Sequence, residues 1–313
     1  MTLLLVAALS AVSVAMSDGL RLAARRAANA EARDQALWYA LGAETLARQT
    51  LRRDYEASPE RTTLEAPWAR GVAFEIDGGR IVGALVDRAN CFNLNALALA
   101  DERRGYVANP ETRAELVALA HALGVHPADA ERFAAAASDW IDRDESPIGR
   151  GAEDFDYAGL EPPYRAANTL FAEVEEARAL AGLGEDVFRA LRPHLCAYPD
   201  TSPAVLNVDT LRAEDAALLV ALLGEALSLD AARDVIAERP AGGWASAEEF
   251  WALEAMRAIA VEEAARERIA VTTGYFELRA QVFYRDAYAE TASLMRRSGP
   301  VVSVLHRRIG GGE

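Results

Sequence analysis

The chain has 313 residues, 51% of them apolar and 26% charged, the balance of a folded protein with room for two or three compact units. All 33 basic residues are arginine, and the lack of lysine excludes a P-loop, a Schiff-base enzyme and a kinase-type site. A net charge of −15 argues against wide nucleic-acid contact, which draws its affinity from basic surface, and leaves protein or metal partners.

The first seventeen residues, "MTLLLVAALSAVSVAMS", carry no charge before Asp18. As a helix they would be about 25 Å long, slightly short of the roughly 30 Å hydrocarbon core of a bilayer. They lack the basic start and the small-residue cleavage site of a secretory signal. The chain then runs to about Tyr55 without proline, rich in alanine, leucine, glutamate and arginine. The pattern predicts one continuous helix of about 50 residues, its first third in a membrane and its last third packed on a soluble domain, with only Gly19 at the junction. Leu37, Ala40, Leu41, Ala47 and Leu51 recur on it at helical spacing and form an apolar stripe.

After Pro59 and Pro67 the period changes to two. In "GVAFEIDGGRIVGALVD" the side chains of Val72, Phe74 and Ile76 share one face, Asp77-Gly78-Gly79 turns the chain, and residues 81–86 return, which predicts a β-hairpin. A hairpin alone is marginal in water, so further strands or a helix must cover it. Those strands are expected at the far end, where Phe276, Leu278, Ala280, Val282 and Tyr284 alternate and "PVVSVLHRRI" follows. Between lie helical segments. "NPETRAELVALAHALG" and "HPADAERFAAAASDWI" each have proline near the first turn, and "LRAEDAALLVALLGEAL" and "LDAARDVIAERP" follow.

The second helical pair looks like a helix-hairpin-helix module of the kind that often binds DNA. Its turn is Leu223-Gly224-Glu225 rather than Gly-x-Gly, and Glu214, Asp215, Glu225, Asp230 and Asp234 would repel phosphate. A membrane-anchored DNA-binding protein is therefore the lesser alternative. Leu218, Leu219, Leu222 and Leu223 are read as core.

The densest chemistry is "DWIDRDESPIGRGAEDFDY" at residues 139–157. Counted from Asp142, oxygen-bearing side chains fall at positions 1, 3 and 5 (Asp142, Asp144, Ser146), and Glu153 falls at position 12, the spacing of an EF-hand calcium loop. Position 6 is Pro147 rather than glycine, which forbids the regular EF-hand turn. A looser site would take Asp154, Asp156 or carbonyl oxygens as further ligands, because calcium accepts about six to eight oxygens. The competing reading is a solvated acidic loop with Arg143 and Arg150 as counterions. Paired acids such as Asp139 and Asp142 would in principle serve acid–base chemistry, but no histidine is near them in sequence. His121, His126, His194 and His306 lack zinc-ligand spacing and are read as surface or capping residues. Cys91 and Cys196 either form one bond or remain buried thiols; the bond would close a loop of roughly 100 residues, worth about 4 to 5 kcal/mol in the chain-entropy model.

This order of parts resembles the K-type minor pseudopilins of the type II secretion system, the general secretion pathway protein K family. The resemblance is carried by the N-terminal apolar helix, "CFNLNALA" at residues 91–98, the acidic stretch at 139–157, "PPYRAANTLF" at 162–171 and "LNVDTL" at 206–211. It covers essentially the whole chain. In pilin-like proteins a basic leader is removed; Met1 matches the first mature residue, so the leader is expected to be absent from the chain. Leu5 stands where most pilins carry glutamate and cannot neutralise a neighbour's amine, which suits a subunit at the tip of a fibre.

The resemblance further implies calcium in the helical domain, with Asp142, Asp144 and Glu153 as first choices and Ser146, Asp154 and Asp156 after them. It implies an oxidising periplasm that would suit a Cys91–Cys196 bond. It also implies a single inner-membrane pass, no nucleic acid, other secretion components, and I-type and J-type minor pseudopilins as partners, met through the stripe near Leu37, Leu41 and Leu51. The fold expected is α+β: a long N-terminal helix on a small antiparallel sheet, with a large all-helical insertion of SAM-like or helix-hairpin-helix type between strands. The expected segments are 1–20 for the membrane, 21–95 for helix and first hairpin, 96–204 and 205–268 for two helical subdomains, and 269–313 for the final strands. The function expected is structural, capping the pseudopilus tip and helping to start its assembly for protein export, with no enzymatic activity.

Overall fold

With no proline to interrupt its hydrogen bonds, the N-terminal stretch forms one helix, α1 (Thr2–Ala57), which passes through Gly19 unbroken. The computed structural model describes residues 1–310, without the side chains of residues 4, 5, 7, 8, 11, 12 and 225, so the role expected of the Leu5 side chain lies outside the described residues. Among the described residues no helix is long and apolar enough to cross a membrane.

Two units make up the chain. The frame comprises Met1–Glu56, Pro67–Val86 and the chain from Glu277 onward; the insertion comprises Ala57–Ala66 and Asp87–Phe276. One five-stranded sheet holds β1 (Val72–Ile76), β2 (Gly79–Asp87), β3 (Tyr275–Tyr284), β4 (Ala287–Ser298) and β5 (Val301–Ile309), side by side in that order. The hairpin and the late strands therefore form where the period of two placed them. In the antiparallel pair β1–β2, Ile76 faces Gly79 across the turn, with Gly78 at φ +81°. A Cβ on Gly79 would lie 1.9 Å from the Phe283 carbonyl oxygen, so only glycine permits that close approach of strands.

Within the frame, α1 buries Ala32, Ala36, Ala40, Ala47 and Leu51. The alanines, one helical turn apart, bring the backbone close to the sheet, where Ala32, Ala36 and Ala40 pack with Val282 and Ala287. Glu44 sits in the same stripe, 5% exposed. Its carboxylate accepts hydrogen bonds from Ser293 Oγ at 2.6 Å and Arg307 Nη2 at 2.6 Å, and from Arg307 Nε. Burial pushes its pKa up, but the Arg307 and Ser293 hydrogen bonds outweigh burial and leave it lowered. Nearby, Arg297 Nη1 donates to Asp54 Oδ2 at 3.1 Å, and burial still holds Asp54 above its ordinary range.

In the insertion, α2 (Pro110–Ala122) starts at an Asn109 cap and α3 (Pro127–Ile141) at a His126 cap, each with proline in the first turn. Both helices share one apolar core with the helices Ala216–Leu223 and Leu229–Ala237. A single core thus runs through the stretches 96–204 and 205–268, because α2 packs against both α3 and the helix Ala216–Leu223, which in turn packs on Leu229–Ala237. Leu218, Leu219 and Leu222 are buried as expected; Leu223, beside the turn at Gly224, is only half-buried. His194, read as a surface or capping residue, is 7% exposed, so the surface alternative does not hold for it.

Buried asparagines fasten distant parts of the insertion to one another. Asn95 Nδ2 donates to the carbonyls of Phe171 (2.9 Å) and Tyr198 (2.6 Å), and its Oδ1 accepts from Phe171 N at 2.7 Å. Asn207 Nδ2 donates to Thr62 O at 2.9 Å and Thr273 Oγ1 at 2.8 Å. Cys91 and Cys196 are joined, with Cα atoms 5.8 Å apart, beside the parallel pairing of Phe92 with Leu195. Of the two cysteine readings, the bond is the one that forms.

Candidate functional site

The acidic stretch opens where α3 ends. Asp139 lies in its last turn, fully buried; Ile141 closes the helix, and Asp142 leaves it with extended backbone at ψ 170°. The loop then folds back onto Asp139, whose carboxylate accepts from Ile148 N at 3.1 and 3.2 Å. A Cβ on Gly151 would lie 1.8 Å from Asp139 Oδ2, so glycine is needed for the chain to pass this carboxylate. The return leg ends at Glu153, the N-cap of α4 (Asp154–Ala158).

This path brings three carboxylates together: one oxygen each from Asp142, Asp144 and Glu153, all within 4.8 Å of one another. Asp142 is 2% exposed and Glu153 4%, and Asp142 Oδ1 and Glu153 Oε1 are buried with no hydrogen-bond partner. Such orphaned acceptors are costly unless a cation completes them. Their pKa values register the same cost. Burial, followed by repulsion from Asp139, Asp142, Asp144 and Asp154, pushes Glu153 up to about 8. Burial and Asp144 push Asp142 up to about 6. Burial, opposed by the Ile148 amide and reinforced by the charges of Asp142 and Asp144, raises Asp139 to about 7.

An all-oxygen set with net negative charge, partly buried and unsatisfied, fits a hard divalent cation, with calcium tolerating such an irregular shell better than magnesium. The residues present would supply three carboxylate ligands, and loop carbonyls or water would supply the rest.

Three further candidates are placed elsewhere. Ser146 contributes its backbone, donating N–H to Asp144 Oδ1 at 2.8 Å. Asp154 Oδ1 accepts from Ala166 N at 3.0 Å, with Arg165 at 3.9 Å. Asp156 Oδ2 caps α4 by accepting from Glu153 N at 3.0 Å. Both acids are therefore engaged by backbone amides, Asp156 in the usual way of a carboxylate at a helix N-terminus and Asp154 by a segment twelve residues on. Among the described residues Arg143 and Arg150 form no ion pair with these acids, so the counterion reading finds no support. Asp139, which sequence spacing did not single out as part of the site, is its buried anchor; the signal would have been an acid one helical turn before the loop on an otherwise apolar face.

The stripe expected to meet partner helices is only partly accessible within the frame. Leu51 is fully buried in the frame, and Leu37 and Leu41 are half-buried. The apolar groups that face outward on α1 are Trp38, 69% exposed, and Leu46. With Gly42, Val72, Phe74 and Ile81 they line an open groove of the frame.

A long helix on a five-stranded sheet, interrupted between its second and third strands by a helical insertion with a carboxylate cluster, defines a pilin-like protein with an added head. Family models described as type II secretion system protein K match residues 90–200 and 206–272. The chain is 35% identical to type II secretion system protein K of Pectobacterium carotovorum subsp. carotovorum, covering 99% of this chain and 94% of that protein. It is 35% identical to that of Klebsiella pneumoniae over the same shares of the two chains. Its fold matches a chain in the crystal structure of the GspK–GspI–GspJ complex from enterotoxigenic Escherichia coli with TM-score 0.79 and 31% identity, covering 92% of this chain and all of that one. The chain belongs to the type II secretion system protein K family.

Proposed function

We propose that the protein is a non-enzymatic minor pseudopilin that caps the pseudopilus tip in company with I-type and J-type subunits and helps to start its assembly. The observation that carries this reading is the insertion, Asp87–Phe276, placed between two strands of a pilin-like frame. An insertion of that bulk, absent from a simple pilin-like frame, is hard to repeat along a fibre, which suits a subunit at its end. The I and J partners follow from the related complex, which assembles those two chains with a protein K. The uncharged residues 1–17 anchor α1 in the inner membrane, leaving the rest in the periplasm, where a Cys91–Cys196 bond is at home.

Calcium held by Asp142, Asp144 and Glu153 is structural in this reading: it satisfies the two orphaned buried oxygens and closes the loop against α3. Partner helices dock on the outward groove around Trp38 rather than on Leu51. Trp38→Asp is expected to lower co-purification with I-type and J-type subunits at least about tenfold while leaving stability within about 0.5 kcal/mol, because the side chain is largely exposed. Undiminished co-purification rejects this face.

A further inference from the structure

Beside the carboxylate cluster, the insertion carries a groove of about 520 Å³ that nothing in the account so far uses. That volume is in the range of ligand sites, roughly 300–1,000 Å³. Its apolar lining is Val117 of α2, Ala128 and Ala135 of α3, and Ile148 of the acidic loop; Arg113 and Arg150 line it too. Among the described residues neither arginine has an ion-pair partner, although the chain as a whole carries a net charge of −15. Arginine left unpaired in so acidic a protein, beside an aliphatic surface, matches a carboxylate with a small apolar neighbour. Glu131, the remaining charged group on the lining, is exposed.

One wall of the groove is the metal loop itself. Ile148, Gly149 and Arg150 lie between Asp144 and Glu153, and the Ile148 amide is bound to the buried Asp139 carboxylate. The turn that gathers the three carboxylates therefore also sets where Ile148 and Arg150 stand. We propose that this groove docks an extended segment of another protein in which an acidic side chain sits beside small aliphatic ones, and that calcium at the neighbouring cluster fixes the wall that receives it. The calcium dependence rests on the metal reading above; the groove and its two arginines do not.

The test uses the full chain and a fluorescein-labelled peptide of repeated valine–glutamate pairs, followed by fluorescence anisotropy with calcium or with a calcium chelator. A valine–glutamine peptide is the control. Binding is expected in calcium, and weaker by about tenfold for the control peptide, for Arg113→Gln and for Arg150→Gln, the loss of one charge-assisted contact. The chelator is expected to weaken it by at least as much. No anisotropy change, with calcium still raising the melting temperature, overturns the groove and leaves the metal reading standing. Equal binding with calcium and chelator overturns the coupling, and equal binding by the control peptide or the arginine variants overturns the role of charge. Absence of both peptide binding and a calcium effect on melting overturns both readings.

Discussion

The frame and the insertion solve the burial of charge in opposite ways. In the frame, Glu44 is buried among alanines on α1, yet Arg307 and Ser293 complete its hydrogen bonds, and its pKa is lowered despite burial. In the insertion, Asp142 and Glu153 are equally buried, but Asp142 Oδ1 and Glu153 Oε1 have no hydrogen-bond partner and the two pKa values rise. A charge compensated within its own chain needs no outside partner; one left open makes stability depend on what the surroundings supply. The frame is complete in its charges and offers apolar surface around Trp38 for other chains. The insertion is complete in its apolar core and asks for a cation.

The sharpest way to break this contrast is pH in the absence of metal. A carboxylate whose folded pKa is raised contributes stability that is fully present below its unfolded value, about 4, and lost as pH rises through the folded value. For Asp142, Asp139 and Glu153 those folded values are about 6, 7 and 8. Metal-free protein should therefore lose stability steadily between about pH 4 and pH 8, with the larger share of the loss in the insertion. Saturating calcium should remove most of that slope, since its ligands bind it deprotonated. Denaturant midpoints across this pH range decide it, and a flat metal-free profile would show that the cluster is already satisfied.

Next in size is the disulfide. Cys91 and Cys196 are 105 residues apart in sequence, and a bond closing such a loop is worth about 4 to 5 kcal/mol in the chain-entropy model. Cys91→Ala with Cys196→Ala should lower the stability of the insertion by that order, measured by urea denaturation, and leave the frame's transition in place. A smaller effect separates the frame. Glu44→Ala strands Arg307 and Ser293, and because Arg307 is partly exposed and water can reach it, the expected loss is about 2 kcal/mol. It should not alter the response to calcium; a changed calcium response would deny that the two units manage charge separately.

How far the amino-acid sequence foretold this depends on the range of each interaction. The β1–β2 hairpin, the alternation in β3 and the proline-led starts of α2 and α3 rest on residues a few positions apart, and they form as expected. The three carboxylates were legible because a twelve-residue spacing brings Asp142, Asp144 and Glu153 together even without the regular EF-hand turn. Asp154 and Asp156 carry the same side chain but accept from the backbone amides of Ala166 and Glu153, a choice made by the local path of the chain rather than by spacing. Nothing near Glu44 in the sequence marks it as buried and paired, because its partner Arg307 is 263 residues away. Leu51 was misread for the same reason. A stripe of leucine and alanine says that a face is covered, and only the sheet, assembled from both ends of the chain, decides by what.

Calcium titrated calorimetrically into the metal-free full chain near neutral pH tests directly whether the loop at residues 142–153 binds a cation. Saturable binding is predicted for the wild type, abolished by Asp142→Asn with Glu153→Gln, which keep side-chain size while removing charge. No saturable heat from the wild type, or the same affinity in the double variant, would contradict it.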